Sequence, residues 1–159
     1  MEVFSTMLGT ELECGVPGTE PSLQNETVGV LSFAALTGTW VGTGCLSCSP
    51  AVACHIASQF LMDKYETVNE EVLDAFAEVT NMVIGGIKHL LEAHIGPLSM
   101  GVPTAIFGRN FISRTPGTRE WVVVPFTWSG HQMIVHFTLS PKEDSGVRAG
   151  SPHTGCVAV

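Results

Sequence analysis

The chain has few basic residues. Seven Lys and Arg residues stand against fifteen Asp and Glu residues, which gives a formal net charge of −8 at pH 7. A protein that binds nucleic acid needs a basic patch to neutralise phosphates, and an anionic membrane surface makes a similar demand. The composition therefore argues against a nucleic-acid partner and against attachment to an anionic membrane.

Long apolar segments are also missing from the 159 residues. The longest stretch without a formal charge, 27–62, is interrupted by Gly, Ser and Thr residues and lacks about 20 continuous apolar residues. The first four residues contain no positively charged region before an apolar core, so we expect no signal peptide. Since 45% of the residues are hydrophobic, the chain can bury a substantial core without metal or disulfide support. We expect a cytoplasmic protein with no membrane partner.

The cysteines and histidines form no regular framework. The five cysteines stand at positions 14, 45, 48, 54 and 156. Cys45 and Cys48 have the spacing of zinc or redox sites, with Cys54 and His55 nearby, so a cysteine-based zinc or redox domain is one alternative. Zinc sites of this type generally need a second spaced pair, and buried thiols are common in cores. We expect reduced structural thiols, no metal, and no catalytic role for the six histidines, which lack ligand spacing.

Hydrophobic patterning and turn residues predict an α+β fold. Strands are expected near 27–36, 39–46, 104–107, 121–128 and 132–139, with helices at 50–62 and 69–94 between the two groups. Ser49 and Asn69 are suited to cap the helices, and Gly96 with Pro97 is suited to end the second one. The order predicts a mixed α/β sandwich in which a largely antiparallel sheet is covered by two main helices.

The chain divides into three predicted parts. Residues 1–24 form an N-terminal segment with a short helix near 3–8, followed by a loop to about residue 25. Residues 25–140 form the folded domain, and residues 141–159 form a polar C-terminal tail.

The second predicted helix has two distinct faces. At 100° per residue its apolar side chains fall within a stripe about 80° wide. The stripe consists of Val72, Phe76, Val79, Val83, Ile87 and Leu90, and the opposite face carries Glu71, Asp74, Glu78, Asn81, Lys88 and Glu92. We predict that the stripe is buried and that the polar face is open.

Glu78 and Asn81 are the most informative pair on that polar face. Three positions apart on a helix, their side chains can address one external target together. Gly85 follows one turn later, where a glycine costs about 1 kcal/mol relative to alanine and leaves room for another surface to approach. The alternative is that Glu78 and Asn81 only solvate an exposed face and that Gly85 with Gly86 serves internal packing.

The residues around this pair resemble the CheX-like branch of the CheC/CheX/FliY chemotaxis phosphatases. The resemblance runs from about 27 to 139 and includes the helix pattern at 73–82, the glycine pair at 85–86 and the proline-led strand at 102–109. CheC-type relatives carry the Glu-x-x-Asn pattern on two helices. The first helix here has Gln59 and Phe60 in a segment without that pattern, so one motif per chain is expected.

The resemblance implies hydrolysis of the aspartyl phosphate of a CheY-like response-regulator receiver domain in a two-component pathway. Asn81 would position the attacking water, and Glu78 would pair with the active-site lysine of the receiver. Asp74 and Gly85 would contribute to partner binding. Mg²⁺ would belong to the receiver, so no cofactor of the chain's own is expected, and homodimerisation through an extended sheet is implied. The alternative is a catalytically silent CheX-like module that docks on a receiver domain or another signalling protein.

Overall fold

A computed structural model describes residues 13–21, 23–25, 29–108, 111–113, 120–128 and 130–142. The strands are β1 (Glu13–Cys14), β2 (Gly18–Glu20), β3 (Leu23–Asn25), β4 (Gly29–Gly38), β5 (Trp40–Cys48), β6 (Leu98–Met100), β7 (Thr104–Gly108), β8 (Phe111–Ser113), β9 (Trp121–Trp128) and β10 (His131–Pro141). The helices are α1 (Pro50–Leu61) and α2 (Glu70–Ile95). Neither helix in these ranges combines the length and apolar composition that a membrane span requires.

The strands form an antiparallel sheet, which confirms the predicted α+β class. The main path through the sheet is β1-β9-β10-β5-β4-β6, with β2 also paired to β9 and β7 also paired to β4. Strands β3 and β8 form a separate two-stranded sheet. Both helices contact the central strands and each other.

Local signals in the sequence set the ends of both helices. The Ser49 hydroxyl accepts a hydrogen bond from the Val52 amide at 3.4 Å, and the Asn69 carboxamide oxygen accepts one from the Val72 amide at 2.9 Å. Each bond satisfies an amide that has no partner within the first turn of its helix. At the end of α2, Gly96 has a φ of 84°, a conformation that glycine adopts without strain. The predicted helix bounds are confirmed to within one residue.

The predicted loop at 9–25 was wrong where the structure describes it. Strands β1 and β2 pair with β9, so that Glu13 lies opposite Thr127 and Gly18 lies opposite Val123. These strands have two or three residues, which is too short to show the alternation on which strand prediction relies. The sheet therefore extends across the boundary predicted at residue 24. The predicted helix at 3–8 and the tail beyond residue 142 lie outside the described residues.

The main hydrophobic core lies between the helices and the sheet. Val72, Phe76, Val79 and Val83 of α2 are buried there, as predicted. Leu90 is 72% exposed, so the prediction of a buried stripe was wrong at its last position. Periodicity indicates which side of a helix is apolar, but it does not indicate where the surface that covers that side ends.

Helix α2 approaches β5 closely near the middle of its length. A Cβ atom at Gly44 would lie 2.6 Å from Cγ2 of Ile84, which is fully buried. A larger residue at this position would force the buried Ile84 side chain or the helix to shift. The contact brings α2 close to β5, with the polar face of the helix on the side away from the core.

Candidate functional site

Glu78 and Asn81 project from the polar face of α2, on the side away from the core. Glu78 is exposed and Asn81 is half-buried, while Val79 and Thr80 between them are buried. The Thr80 hydroxyl donates to the Phe76 carbonyl at 2.8 Å, so this polar side chain is satisfied within the helix. The buried neighbours hold the helix in one rotation about its axis, which points Glu78 and Asn81 outward together.

Neither of these two side chains is engaged elsewhere in the described part of the chain. Glu78 and Asn81 form no hydrogen bond or ion pair with another described residue. A carboxylate next to a carboxamide offers acceptors for a cation together with a donor and an acceptor for a polar group such as water. As far as the described residues go, the pair is available to bind something external to the chain.

The two other predicted contact residues, Asp74 and Gly85, share this face. Asp74 is exposed one turn before Glu78. Gly85 is half-buried, and a Cβ atom there would lie 3.7 Å from Cε of Met100 in β6. The neighbouring Gly86 is exposed and has open space around it. The face thus brings all four predicted residues together, with Gly85 at its border with β6.

Beyond Gly85, charged side chains of the polar face form hydrogen bonds within the chain. Oε1 of Glu92 accepts hydrogen bonds from the Lys88 ammonium group and the Leu98 amide, both at 2.9 Å. The bond from Lys88, followed by that from Leu98, lowers the pKa of Glu92 below its usual value. Lys88 and Glu92 therefore anchor the turn that leads from α2 into β6.

A groove next to Glu78 was not expected from the sequence. It has a volume of about 430 Å³ and lies between the end of α1, the connection from α1 to α2 and the first turns of α2. Its lining consists of Phe60, Leu61, Asp63, Tyr65, Glu71, Asp74, Ala75 and Glu78. Asp63 and Tyr65 lie between the two predicted helices, 50–62 and 69–94, where the sequence predicts no regular structure. Their acidic and aromatic character is visible in the sequence, but their position against α2 is not.

Cys45 lies apart from Cys48 and Cys54. Cys45 belongs to a small cluster with Leu31 and Trp121, whereas Cys48 and Cys54 belong to the main core. Residues three apart on a strand face opposite sides of the sheet, so Cys45 and Cys48 cannot share a metal ion. Burial raises the pKa of Cys45 to about 12, which keeps this thiol protonated and unreactive. No group of three or more metal-ligating side chains occurs among the described residues.

One buried polar pair lies apart from the polar face of α2. Ser47 and His136 are joined by a hydrogen bond of 3.0 Å between Oγ and Nε2, and both side chains are buried. Burial lowers the pKa of His136 to about 4, so the imidazole is neutral near pH 7. Without access to solvent this pair is a structural contact within the sheet.

Solved structures share the fold of the chain. CheX from Vibrio vulnificus is 24% identical with a TM-score of 0.74, covering 88% of this chain and 93% of its own. A CheC-like superfamily protein from Shewanella sp. PV-4 is 24% identical with a TM-score of 0.75, and the match covers 87% of this chain and 90% of the Shewanella chain. A chain of the complex of CheX with CheY, BeF3 and Mg²⁺ from Borrelia burgdorferi is matched at 24% identity and a TM-score of 0.72. The match covers 87% of this chain and 90% of the Borrelia chain. Among proteins of curated function, none matches significantly.

These similarities define an α+β domain of the CheC and CheX type. Residues 30–127, more than half of the chain, match the family model described as chemotaxis phosphatase CheX. The chain therefore belongs to the CheX family, as the sequence resemblance predicted.

Proposed function

We propose that the protein hydrolyses the aspartyl phosphate of a CheY-like receiver domain by inserting the Glu78–Asn81 face of α2 into the receiver's active site. The observation that carries this proposal is a carboxylate and a carboxamide on one helical face of a CheX-family chain, neither of them bonded to another described residue. The Borrelia burgdorferi complex, in which a CheX protein is bound to CheY, supports a receiver as the partner.

The assigned role of Asn81 is to orient the attacking water. An acyl phosphate is already reactive, so a helper protein accelerates its hydrolysis chiefly by placing water in line with the phosphorus atom. The carboxamide oxygen accepts a hydrogen bond from that water, and the amide nitrogen can donate one. A neutral group does this without adding negative charge beside an anionic phosphoryl group.

The assigned role of Glu78 is to dock the helix. Its carboxylate is exposed and has no partner among the described residues, so it can form a charge-assisted hydrogen bond with the active-site lysine of the receiver. The Mg²⁺ ion would be held by the receiver, where it would neutralise charge on the phosphoryl oxygens. On this proposal the chain supplies two side chains and the receiver supplies the metal.

Homodimerisation through an extended sheet also belongs to the proposal. In the described ranges β7 pairs with β4 on one side only, and its Ile106 and Phe107 are 43% and 46% exposed. A strand edge with exposed apolar side chains is suited to pair with another chain. Sedimentation equilibrium of the parent should give a mass of two chains; a single-chain mass at all concentrations would remove this part of the proposal.

The decisive test is the decay of phosphorylated receivers from the source organism with the parent protein and with Asn81→Ala. We expect the substitution to reduce the acceleration of dephosphorylation by a factor on the order of 10² to 10³, which is the usual cost of losing one hydrogen-bonding group in the transition state. Gln59→Ala removes an exposed carboxamide from α1 and serves as the control, with an expected rate within twofold of the parent. An Asn81→Ala rate within twofold of the parent would overturn the mechanism, and binding without acceleration would favour a silent docking module.

Glu78→Gln tests the docking role. Replacing the carboxylate by a carboxamide turns a charge-assisted bond into a neutral one, which is about half as strong. We expect kcat/KM to fall about tenfold, mainly through KM, with the folded structure unchanged because Glu78 is exposed. An unchanged rate at subsaturating receiver concentration would contradict docking through Glu78.

A further inference from the structure

The groove beside Glu78 combines an apolar floor with an acidic rim. Phe60, Leu61 and Ala75 supply apolar surface, and the carboxylates come from Asp63, Glu71, Asp74 and Glu78. The lining contains no Lys or Arg, and the nearby Lys64 ammonium group is paired with Glu66 at 2.6 Å. The negative charge of the groove is therefore not balanced by its own lining.

The walls of the groove are held in place by hydrogen bonds. The Tyr65 hydroxyl donates to Oε2 of Glu71 at 2.8 Å, which also raises the pKa of Tyr65. The Tyr65 amide donates to the Ser58 hydroxyl oxygen at 3.0 Å, and that hydroxyl donates to the Cys54 carbonyl at 2.7 Å. These bonds connect the segment between α1 and α2 to both helices, so the groove is formed by contacts within the chain.

We propose that this acidic groove receives a lysine or arginine side chain of the phosphorylated receiver and thereby selects which receiver is bound; this inference rests on the proposed function. A long basic side chain has an aliphatic stem and a cationic head, which match the apolar floor and the acidic rim. The Tyr65 ring offers the cation a further favourable contact. A bare metal ion fits less well, because the carboxylates do not converge into a ligand cluster.

The position of the groove limits where the basic residue lies on the receiver. Asp74 precedes Glu78 by four residues, or about 6 Å along the helix, and Glu71 precedes it by about 10 Å. Glu78 lines the groove and also carries the proposed docking contact. The receiver residue should therefore lie roughly 6 to 10 Å from the lysine that Glu78 meets. A receiver with an acidic or bulky apolar residue at that position should be a poor substrate.

The test neutralises two groove carboxylates that face no proposed catalytic step. We expect Asp63→Asn combined with Asp74→Asn to raise KM for the phosphorylated receiver about tenfold, because the loss of each exposed ion pair should raise it about threefold. The kcat value should stay within twofold of the parent. The control variant combines Glu70→Gln with Glu120→Gln, two exposed carboxylates outside the groove, and changes the net charge equally. The KM of the control should stay within twofold, which separates a local contact from long-range attraction. An equal rise in KM for both variants would overturn the groove proposal.

A double-mutant cycle identifies the partner residue. Each surface Lys or Arg of the receiver is replaced by Gln, and KM is measured with the parent and with Asp74→Asn. One receiver variant should raise KM less with Asp74→Asn than with the parent, because that receiver residue has lost one of its groove carboxylates. If the effects of the two substitutions on KM were additive at every basic position, the groove would not bind one particular receiver residue.

The failure of this inference can be distinguished from failure of the proposed function. If the parent accelerates dephosphorylation but the groove variants keep its KM, the groove proposal alone is overturned. If the parent binds a receiver without accelerating its decay, and the groove variant weakens that binding about tenfold, the groove stands and the phosphatase activity does not. If the parent neither accelerates decay nor binds any receiver in titrations, both proposals are overturned.

Discussion

The two halves of the polar face of α2 differ in what their charged groups contact. In the open half, Asp74, Glu78 and Asn81 lack partners among the described residues. In the closed half, Glu92 accepts hydrogen bonds from the Lys88 ammonium group and from the Leu98 amide, which holds the connection to β6. One helix thus uses the same kinds of side chain for two purposes. Polar residues whose hydrogen bonds are satisfied within the chain stabilise it, and those left open are available for a partner.

The largest expected effect comes from adding charge to the open half. Asn81→Asp keeps the shape of the side chain but places a carboxylate beside the anionic phosphoryl group, where like charges repel. We expect the dephosphorylation rate to fall on the order of 10² or more, as on removing a transition-state donor. The melting temperature should stay unchanged.

Asn69→Asp is the matched control for that change. It makes the same substitution on the same helix, at the N-cap, where Asp accepts the Val72 amide bond as well as Asn does. Its rate should stay within twofold of the parent. If Asn81→Asp behaved like Asn69→Asp, the open half would not lie beside a phosphoryl group.

The closed half should respond in stability instead of activity. Glu92→Gln removes the carboxylate that accepts from the Lys88 ammonium group, and we expect a melting temperature lower by a few degrees with an unchanged dephosphorylation rate. Glu66→Gln is the control, because its ion pair with Lys64 is exposed and such pairs contribute little. A loss of activity in Glu92→Gln without loss of stability would break the distinction between the two halves.

The stabilising effect of the Glu92 carboxylate should depend on pH in a predictable direction. The Lys88 and Leu98 bonds hold the pKa of Glu92 below its usual 4.5 in the folded state. A carboxylate whose pKa is lower in the folded state stabilises the fold at pH values above its pKa in the unfolded chain. This contribution is lost as the pH falls through its pKa in the folded state. The difference in melting temperature between the parent and Glu92→Gln should therefore shrink below about pH 4.5. A difference that grew with acidity would contradict the assigned hydrogen bonds.

The sequence predicted the features of this helix that depend on local chemistry. Capping by Asn69, the end at Gly96 and the outward direction of Glu78 and Asn81 follow from spacing of a few residues, and all are found. Contacts between distant segments were not predictable in this way. The pairing of Glu13 with Thr127 and the packing of Tyr65 against Glu71 depend on the completed fold. The groove was missed for that reason, although every residue that lines it is visible in the sequence.

The border between the two halves gives the smallest expected effect. Gly85→Ala adds a methyl group on the face shared by Glu78 and Asn81, at ordinary contact distance from Cε of Met100. Both Gly85→Ala and Gly86→Ala should stabilise the helix by up to about 1 kcal/mol, because neither methyl group meets an obstacle. If a receiver approaches over Gly85, only Gly85→Ala should raise KM, by about threefold or roughly 0.6 kcal/mol. Equal KM values for the two variants would assign Gly85 to packing against β6 and move the edge of the partner surface back to Asn81.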